Sequence, residues 1–207
     1  MTLQKFRGCA MTIACGWVSA LSCLAGDGRI GIYQADVPFT ITNSGSYFAG
    51  ENLQSSSGSY AIRVAANHVT LDLAGRSVAG GATAWEGIYQ DAAWRNLTVC
   101  NGNVYRGVHA YGKFSRIESV TVSGALQDGI ATGPRGSVRD CTVVSNTPTV
   151  PSPAMIRVGT MSAVENCAVS LSSSAADLTG SYADDYARIG SCEIVYCVAA
   201  GTLVGIR

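Results

Sequence analysis

One short phrase of this sequence recurs at nearly constant spacing, and the recurrence constrains the fold more than any other feature. "SVRDCTVVSN" at 137–146 and "AVENCAVSLS" at 163–172 share an apolar residue, two polar residues, cysteine, a small residue and valine. Six such segments align, at 69–73, 95–99, 118–122, 139–143, 165–169 and 190–194. Their central apolar residues, 26, 23, 21, 26 and 25 positions apart, are Leu71, Leu97, Val120, Cys141, Cys167 and Cys192. Self-similarity at a period of about 20–50 residues is typical of solenoids and other repeat architectures.

Each segment also alternates as a strand with one buried face does. A second apolar residue follows the central one by two places: Leu73, Val99, Val122, Val143, Val169 and Ile194. A third precedes the central one by three places in five of the units: Trp94, Ile117, Val138, Val164 and Ile189. The residue between the first two is predicted to face outward in each segment: Asp72, Thr98, Thr121, Thr142, Ala168 and Glu193.

A second recurring segment lies upstream in most units. Its apolar anchors are Ile62, Ile88, Val108, Ile130 and Ile156. Strands of three to five residues, repeated every 21 to 26 residues, are too closely spaced for helical crossovers between parallel strands. The pattern therefore predicts an all-β parallel solenoid of about six coils, in which equivalent residues stack about 4.8 Å apart.

The composition agrees with short strands and tight turns. The chain of 207 residues is 47% hydrophobic and 14% charged, which is sufficient for one domain with a real core. Glycine is abundant, with 24 residues, whereas lysine occurs only at Lys5 and Lys113. The formal net charge is zero and no basic patch is evident from the sequence, so nucleic acid is not an expected partner.

The N-terminus has the features of an export signal. Lys5 and Arg7 precede an uncharged run from Gly8 to Leu24, and small residues at Cys23 and Ala25 fit cleavage before Gly26. An uncut anchor is the alternative, while a lipoprotein signal that would make Cys23 the first residue of the mature chain fits poorly. We therefore expect a signal peptide at 1–25, an N-terminal strand and cap at 26–58, and β-helix repeats at 59–207. The expected location is secreted or periplasmic, with membrane contact only through the export signal.

Five cysteines remain after this segment, so they cannot all pair with one another. They are Cys100, Cys141, Cys167, Cys192 and Cys197. Three occupy one predicted inward file, where free cysteine behaves as a small hydrophobe. We predict a stack of buried thiols; a disulfide is the lesser alternative, and a metal site is less favoured still because no CxxC spacing occurs. No cofactor and no metal are expected.

The stretches "PFTITNSGSYFAGENL", "AIRVAANHVTLDLAGRSVAG" and "RNLTVCNGNV" resemble the right-handed parallel β-helix, or pectin-lyase-like, superfamily, in particular exported bacterial β-helix repeat proteins. The resemblance covers roughly residues 37–201. It implies the fold and leaves the activity open, because the same coil carries lyases, hydrolases, epimerases, phage adhesins and non-catalytic modules.

Two outward files hold the candidate functional residues. One lies two places before the anchors and contains Tyr60, Glu86, Arg106, Asp128 and Ala154. It is either a surface ion-pair ladder or an acid–base cluster, with Glu86 and Asp128 two coils apart, about 9.6 Å. The other follows the anchors by one place and contains Arg63, Tyr89, His109, Ala131 and Arg157.

Aromatic residues concentrate from 85 to 114 and could stack on sugar rings, or could simply fill the core and pack turns. The candidate ligand-binding residues are Trp85, Tyr89, Arg106, His109 and Tyr111. Weak catalytic candidates are Glu86, Asp128, His109 and the pair Asp184 and Asp185. The pair resembles that of polygalacturonases, but the Asn-Thr-Asp, Gly-His-Gly and Arg-Ile-Lys signatures of those enzymes are absent.

Three functions follow from these features. The first is a non-catalytic exported module that binds polysaccharide or another surface ligand. The second is a polysaccharide lyase or glycoside hydrolase, and the third is a structural piece of a longer adhesin. Neither the oligomeric state nor the sugar follows from the sequence.

Overall fold

The chain folds as an all-β parallel solenoid with almost no helix. A computed structural model describes residues 28–56, 60–84, 86–145, 154–171, 178–184, 186–196 and 203–206. It contains about five complete turns, with further strands paired at both ends of the stack, where the sequence predicted about six. The predicted fold class is confirmed; Trp85, Asp185, Cys197 and the proposed signal peptide lie outside the described residues.

Two parallel sheets form the walls of the solenoid. The smaller sheet has eight strands: β2 (Phe39–Ile41), β5 (Ile62–Val64), β8 (Ile88–Gln90), β10 (Val108–Ala110), β12 (Ile130–Thr132), β15 (Ala154–Val158), β18 (Leu178–Ala183) and β21 (Leu203–Ile206). The larger has thirteen: β1 (Ile30–Ile32), β3 (Gly45–Ala49), β4 (Leu53–Gln54), β6 (Val69–Asp72), β7 (Ser77–Ala79), β9 (Leu97–Tyr105), β11 (Arg116–Ser123), β13 (Ser137–Arg139), β14 (Thr142–Ser145), β16 (Ala163–Glu165), β17 (Ala168–Leu171), β19 (Arg188–Gly190) and β20 (Glu193–Tyr196).

The anchors of the eight-stranded sheet stack as predicted. Ile62, Ile88, Val108, Ile130 and Ile156 pair in sequence from coil to coil, and all five are buried. Each is a β-branched aliphatic residue, a type enriched in strands, so burial in this file both specifies the register and stabilises the wall. The following file, Arg63, Tyr89, His109, Ala131 and Arg157, is therefore also in register.

The predicted alignment of the thirteen-stranded sheet is wrong in its first two coils. Leu71 pairs with Val99 rather than Leu97, and Val120 pairs with Gly102. The file through Leu71 continues as Val99, Ile117, Val138, Val164 and Ile189, so Trp94 does not belong to it. A shift of two residues keeps the same side chains facing inward, which is why alternation alone did not detect it.

From Val120 onward the predicted files are correct. Thr121, Thr142, Ala168 and Glu193 pair in order, whereas Asp72 pairs with Cys100 and Thr98 with Arg116. The residue before each of the four is Val120, Cys141, Cys167 and Cys192, so the predicted cysteine file exists. Cys141 and Cys167 are buried, Cys192 is half-buried, and all three are free thiols.

Six polar residues of the described part of the chain are buried: Ser55, Gln90, His109, Ser115, Thr132 and Ser162. Four of them lie where the chain passes from the eight-stranded to the thirteen-stranded sheet: Gln90, Ser115, Thr132 and Ser162. Ser162 Oγ accepts a hydrogen bond from the Gly136 amide at 2.9 Å, and Ser115 Oγ lies 3.1 Å from Gln90 Oε1. Thr132 Oγ1, in contrast, has no hydrogen-bond partner.

The N-terminal strands are part of the stack. β2 pairs with β5, and β3 pairs with β6, both in parallel. A 3₁₀ helix, Gln34–Asp36, lies against the edge of β4: the Gln34 carboxamide donates to the Gln54 carbonyl at 2.8 Å and accepts from the Gln54 amide at 2.7 Å. Among the described residues, no helix is long and apolar enough to span a membrane.

Candidate functional site

A row of tyrosines lies on the outer face of the eight-stranded sheet. Tyr60 and Tyr89 are stacked, with ring centroids 6.0 Å apart and planes 14° from parallel. Tyr111 contacts Tyr89 edge-on at 6.3 Å. All three residues are half-buried, so the row is partly accessible to solvent. The row spans three successive coils: Tyr60 lies beside β5, Tyr89 lies in β8 and Tyr111 follows β10, and these strands pair in that order.

His109 lies beside this row but is buried, which corrects the expectation that its file faces solvent throughout. Its side chain is 1% exposed, and Ala131 in the next coil is also fully covered. The cover comes from neighbouring side chains: Tyr111 packs on the imidazole with centroids 5.5 Å apart, and Glu86 contacts it from the preceding coil. A ligand on this face would therefore meet Tyr111 and Glu86 before it met His109.

Both ring nitrogens of His109 have polar partners. Nε2 lies 2.9 Å from the Asp128 carbonyl oxygen, an obligate acceptor, so Nε2 carries a proton and donates. Nδ1 lies 3.1 Å from Glu86 Oε1 and 3.3 Å from Tyr111 Oη. When the imidazole is neutral, Nδ1 accepts the Tyr111 hydroxyl proton; when it is charged, Nδ1 donates to the Glu86 carboxylate. The three side chains thus form a hydrogen-bonded unit with one exchangeable proton position.

Asp128 is held by its own set of partners. Arg157 donates to its carboxylate through Nε at 2.7 Å and Nη2 at 3.3 Å, and the Ala154 amide donates at 2.9 Å. This charge-assisted pairing fixes the loop whose carbonyl holds His109. The predicted pair of Glu86 and Asp128 is therefore joined through His109, with the Asp128 side chain engaged elsewhere.

Arg106 does not join this cluster. Its Nη2 donates to the Ala82 carbonyl at 2.7 Å, and its guanidinium lies 4.9 Å from the centre of the Tyr105 ring. The structure describes Glu86, Arg106 and Asp128, and no ion pair joins any two of them. The alternative of a simple ion-pair ladder along their file is therefore wrong.

The remaining predicted residues are dispersed. Asp184 is exposed, and its amide donates to the Val158 carbonyl at 3.1 Å. His68 Nδ1 lies 3.0 Å from the side-chain amide nitrogen (Nδ2) of Asn96. Sequence reasoning placed Tyr60 and Arg157 in the right files without selecting them as site residues. Their positions in these files could have identified them, because stacking of the coils brings Tyr60 onto Tyr89 and Arg157 onto Asp128.

The surroundings keep the tyrosines protonated. Burial, aided by the nearby Asp128 and Glu86 carboxylates, raises the pKa of Tyr111 to about 12. Burial together with Asp91 and Glu86 also raises the pKa of Tyr89, and Arg63 opposes this shift. Both phenols are therefore hydrogen-bond donors near neutral pH rather than bases.

The described residues contain no cluster of histidine, cysteine or carboxylate side chains suited to a metal ion. In the cysteine file, the hydrogen bond with Cys141 and burial raise the pKa of Cys167. Burial raises the pKa of Cys192 as well, so Cys167 and Cys192 lack thiolate character. The hydrogen bond with Cys167 lowers the pKa of Cys141.

Fold and site together define a parallel β-solenoid with a tyrosine row and a covered histidine–carboxylate unit on one face. Comparison of the chain with protein families, curated proteins and solved structures finds no match. The residues and their geometry therefore carry the functional argument.

Proposed function

We propose that this protein is an exported β-helix module of the pectin-lyase-like superfamily that binds polysaccharide or a surface glycan on the outer face of its eight-stranded sheet. The observation that carries the proposal is the contact of Tyr60, Tyr89 and Tyr111 across three successive coils. Aromatic side chains combine an apolar surface for the C–H faces of sugars with a hydroxyl for their polar edges.

The spacing of the solenoid supports an extended chain as ligand. Successive coils are about 4.8 Å apart, close to the length that one pyranose ring adds to an extended polysaccharide. Hydrogen-bonding groups flank the tyrosines: Glu86 lies beside Tyr111, and Arg63 precedes Tyr89 by one coil in the same file. The Arg63 side chain forms no hydrogen bond or ion pair with the residues that the structure describes, so its guanidinium is available to a ligand.

Binding of the full-length protein to a glycan array, followed by calorimetry on any hit, tests this proposal. Tyr89→Ala removes the centre of the row and is expected to weaken binding about tenfold or more, since stacked aromatic residues dominate such contacts. Tyr186→Ala, a tyrosine that is 91% exposed elsewhere on the solenoid, is the matched control. No binding above background, or equal losses in both variants, would contradict the proposal.

The proposals of superfamily and export rest on the sequence motifs at 37–104 and on the charged and apolar pattern of residues 1–25. Secretion into the periplasm or medium is expected to leave a chain beginning at Gly26. Mass spectrometry of the protein exported from a bacterial host measures that terminus directly.

A polysaccharide lyase or glycoside hydrolase is the second candidate, and the unit of Tyr111, His109 and Glu86 favours it. Glu86 would act as base and the protonated Tyr111 as acid, with His109 positioning both. Release of unsaturated or reducing ends from a panel of uronate and neutral polymers tests it. Tyr111→Phe should abolish such activity while leaving glycan affinity within a few fold; absence of turnover on every polymer would remove the candidate.

A further inference from the structure

A second file of side chains runs along the corner where the chain passes from the eight-stranded to the thirteen-stranded sheet. One residue of each coil lies there with φ between 54° and 61°, two positions before a residue paired in the larger sheet. From the N-terminal coil onward these residues are His68, Asn96, Phe114, Arg135, Met161 and Tyr186.

The last four form what we call the ridge: Phe114, Arg135, Met161 and Tyr186. Phe114 is 44% exposed, Met161 52% and Tyr186 91%. Among the residues that the structure describes, six large hydrophobic ones are exposed, and three of them lie in this one file. The Arg135 guanidinium lies 5.5 Å from the centre of the Phe114 ring. Exposed apolar side chains that are contiguous, rather than scattered, indicate an interaction surface.

The solenoid contains an internal comparison for this file. A second file with positive φ, between 51° and 59°, consists of Asn101, Ser119, Asp140, Asn166 and Ser191. Small polar residues such as these adopt the left-handed region at low cost, whereas bulky residues do so unfavourably. Asparagine would therefore adopt the backbone conformation of the ridge at a lower free-energy cost than the residues present. The bulky side chains of the ridge need another explanation.

The charge around the ridge is predominantly positive. Five basic residues lie in the file or within two positions of it: Arg95, Lys113, Arg116, Arg135 and Arg188. By the same count the acidic residues are two: Asp184, which is exposed, and Asp185, which lies outside the described residues. Glu118, four positions after Phe114, is 3.4 Å from Arg116. A partner that complements this surface is apolar and negatively charged.

We propose that the ridge docks the protein on an anionic phospholipid bilayer. Phe114, Met161 and Tyr186 would enter the interfacial region, while the flanking guanidinium and ammonium groups contact lipid phosphates. A single convex row has no walls to enclose a polymer, but a planar, deformable surface can meet all four coils of the ridge at once, over about 14 Å. This docking is independent of glycan binding, which uses the outer face of the adjacent sheet.

Flotation of the full-length protein with vesicles tests the inference, comparing phosphatidylcholine alone with a mixture of phosphatidylglycerol and phosphatidylcholine. We expect binding to the anionic vesicles that weakens with added salt. Arg135→Gln should lower the partition coefficient about fivefold, the effect of one cation near such a surface. The double variant Phe114→Asn with Met161→Asn should lower it about tenfold or more, because its inserted apolar groups are lost.

The asparagine variants separate docking from folding. Asparagine suits positive φ, and Asn96 already occupies the file, so their thermal stability should be unchanged or higher than that of the parent chain. Ile30→Ser and Arg139→Gln are controls for an exposed apolar residue and an exposed cation outside the ridge. Any contribution of the N-terminal segment is the same in every variant.

Four outcomes would overturn the inference. Three concern vesicles: no binding to anionic vesicles, equal binding to both kinds of vesicle, and equal losses in the ridge and control variants. Capture by a soluble polyanion without vesicle binding would also overturn it, since it would assign the ridge to an acidic polymer.

Discussion

Thr132 shows at the scale of one residue how the solenoid accommodates polar groups in a dry interior. Its hydroxyl is buried without a hydrogen-bond partner, and the next residue in its file is Val158. Ser162, by contrast, uses its hydroxyl to accept the buried Gly136 amide proton. The two hydroxyls therefore have opposite effects on stability, because an unsatisfied buried polar group costs free energy and a satisfied one does not.

We expect Thr132→Val to raise the free energy of unfolding by about 1 kcal/mol, since valine has the same shape without the orphaned oxygen. Ser162→Ala should lower it by about 1–3 kcal/mol, because the Gly136 amide loses its acceptor. Urea unfolding followed by circular dichroism measures both. A loss of stability in Thr132→Val would show that its hydroxyl is satisfied.

Tyr111 predicts a specific alkaline weakness. Its pKa is about 12 in the folded chain, against about 10 for tyrosine in an unfolded one, so the folded state holds its proton more tightly. The stability that this difference provides is fully present below about pH 10 and is lost as the pH rises toward 12. Urea midpoints measured between pH 8 and 11.5 should fall less steeply in Tyr111→Phe than in the parent chain. Identical slopes would contradict the assignment.

At the scale of the strand, Gly102 explains why the first coils misled the sequence alignment. A Cβ at this position would lie 2.4 Å from Leu73 Cβ and 2.7 Å from the Arg76 carbonyl oxygen. The chain approaches itself so closely here that the repeat's apolar residue is replaced by glycine, opposite Val120. An alignment that looks for an apolar residue at this position therefore misses Gly102, which has no side chain.

Gly102→Ala is expected to destabilise the protein by about 1–3 kcal/mol, since a backbone atom cannot yield to the new methyl group. Gly190→Ala is the matched control in β19, because the atom nearest its Cβ is a side-chain nitrogen 3.9 Å away. Thermal unfolding of both variants measures the difference. Equal melting temperatures would show that β9 can move away from Leu73.

Sequence periodicity predicted the fold class, the anchor file and the cysteine file, because each follows from which faces of short strands are buried. It also placed Tyr89, Glu86 and His109 on neighbouring coils. It did not predict that His109 is covered, because the cover comes from Tyr111, Glu86 and the Asp128 loop, whose positions depend on turn geometry. Nor did it find the early register, since a two-residue shift preserves the inward pattern.

At the scale of the whole molecule, the stack separates two kinds of surface. Flat outer faces of the sheets carry files of side chains that touch along the axis, such as Tyr60 on Tyr89. Corners carry files at positive φ, one made of small polar residues and one of bulky ones. Because each coil contributes one residue to every file, changing one coil alters a ligand surface by one step and leaves the rest intact.

The Gln34 carboxamide hydrogen-bonds both backbone groups of Gln54. It thereby takes the place of a neighbouring strand at a sheet edge where another chain would otherwise pair. Gln34→Ala should expose that border and promote concentration-dependent, amyloid-like polymerisation, detectable by light scattering. Gln54→Ala, which keeps the same backbone groups capped, should stay dispersed. The edge of a stack of parallel strands can pair with a strand of a second molecule, and the side-chain amide of Gln34 helps to prevent such pairing.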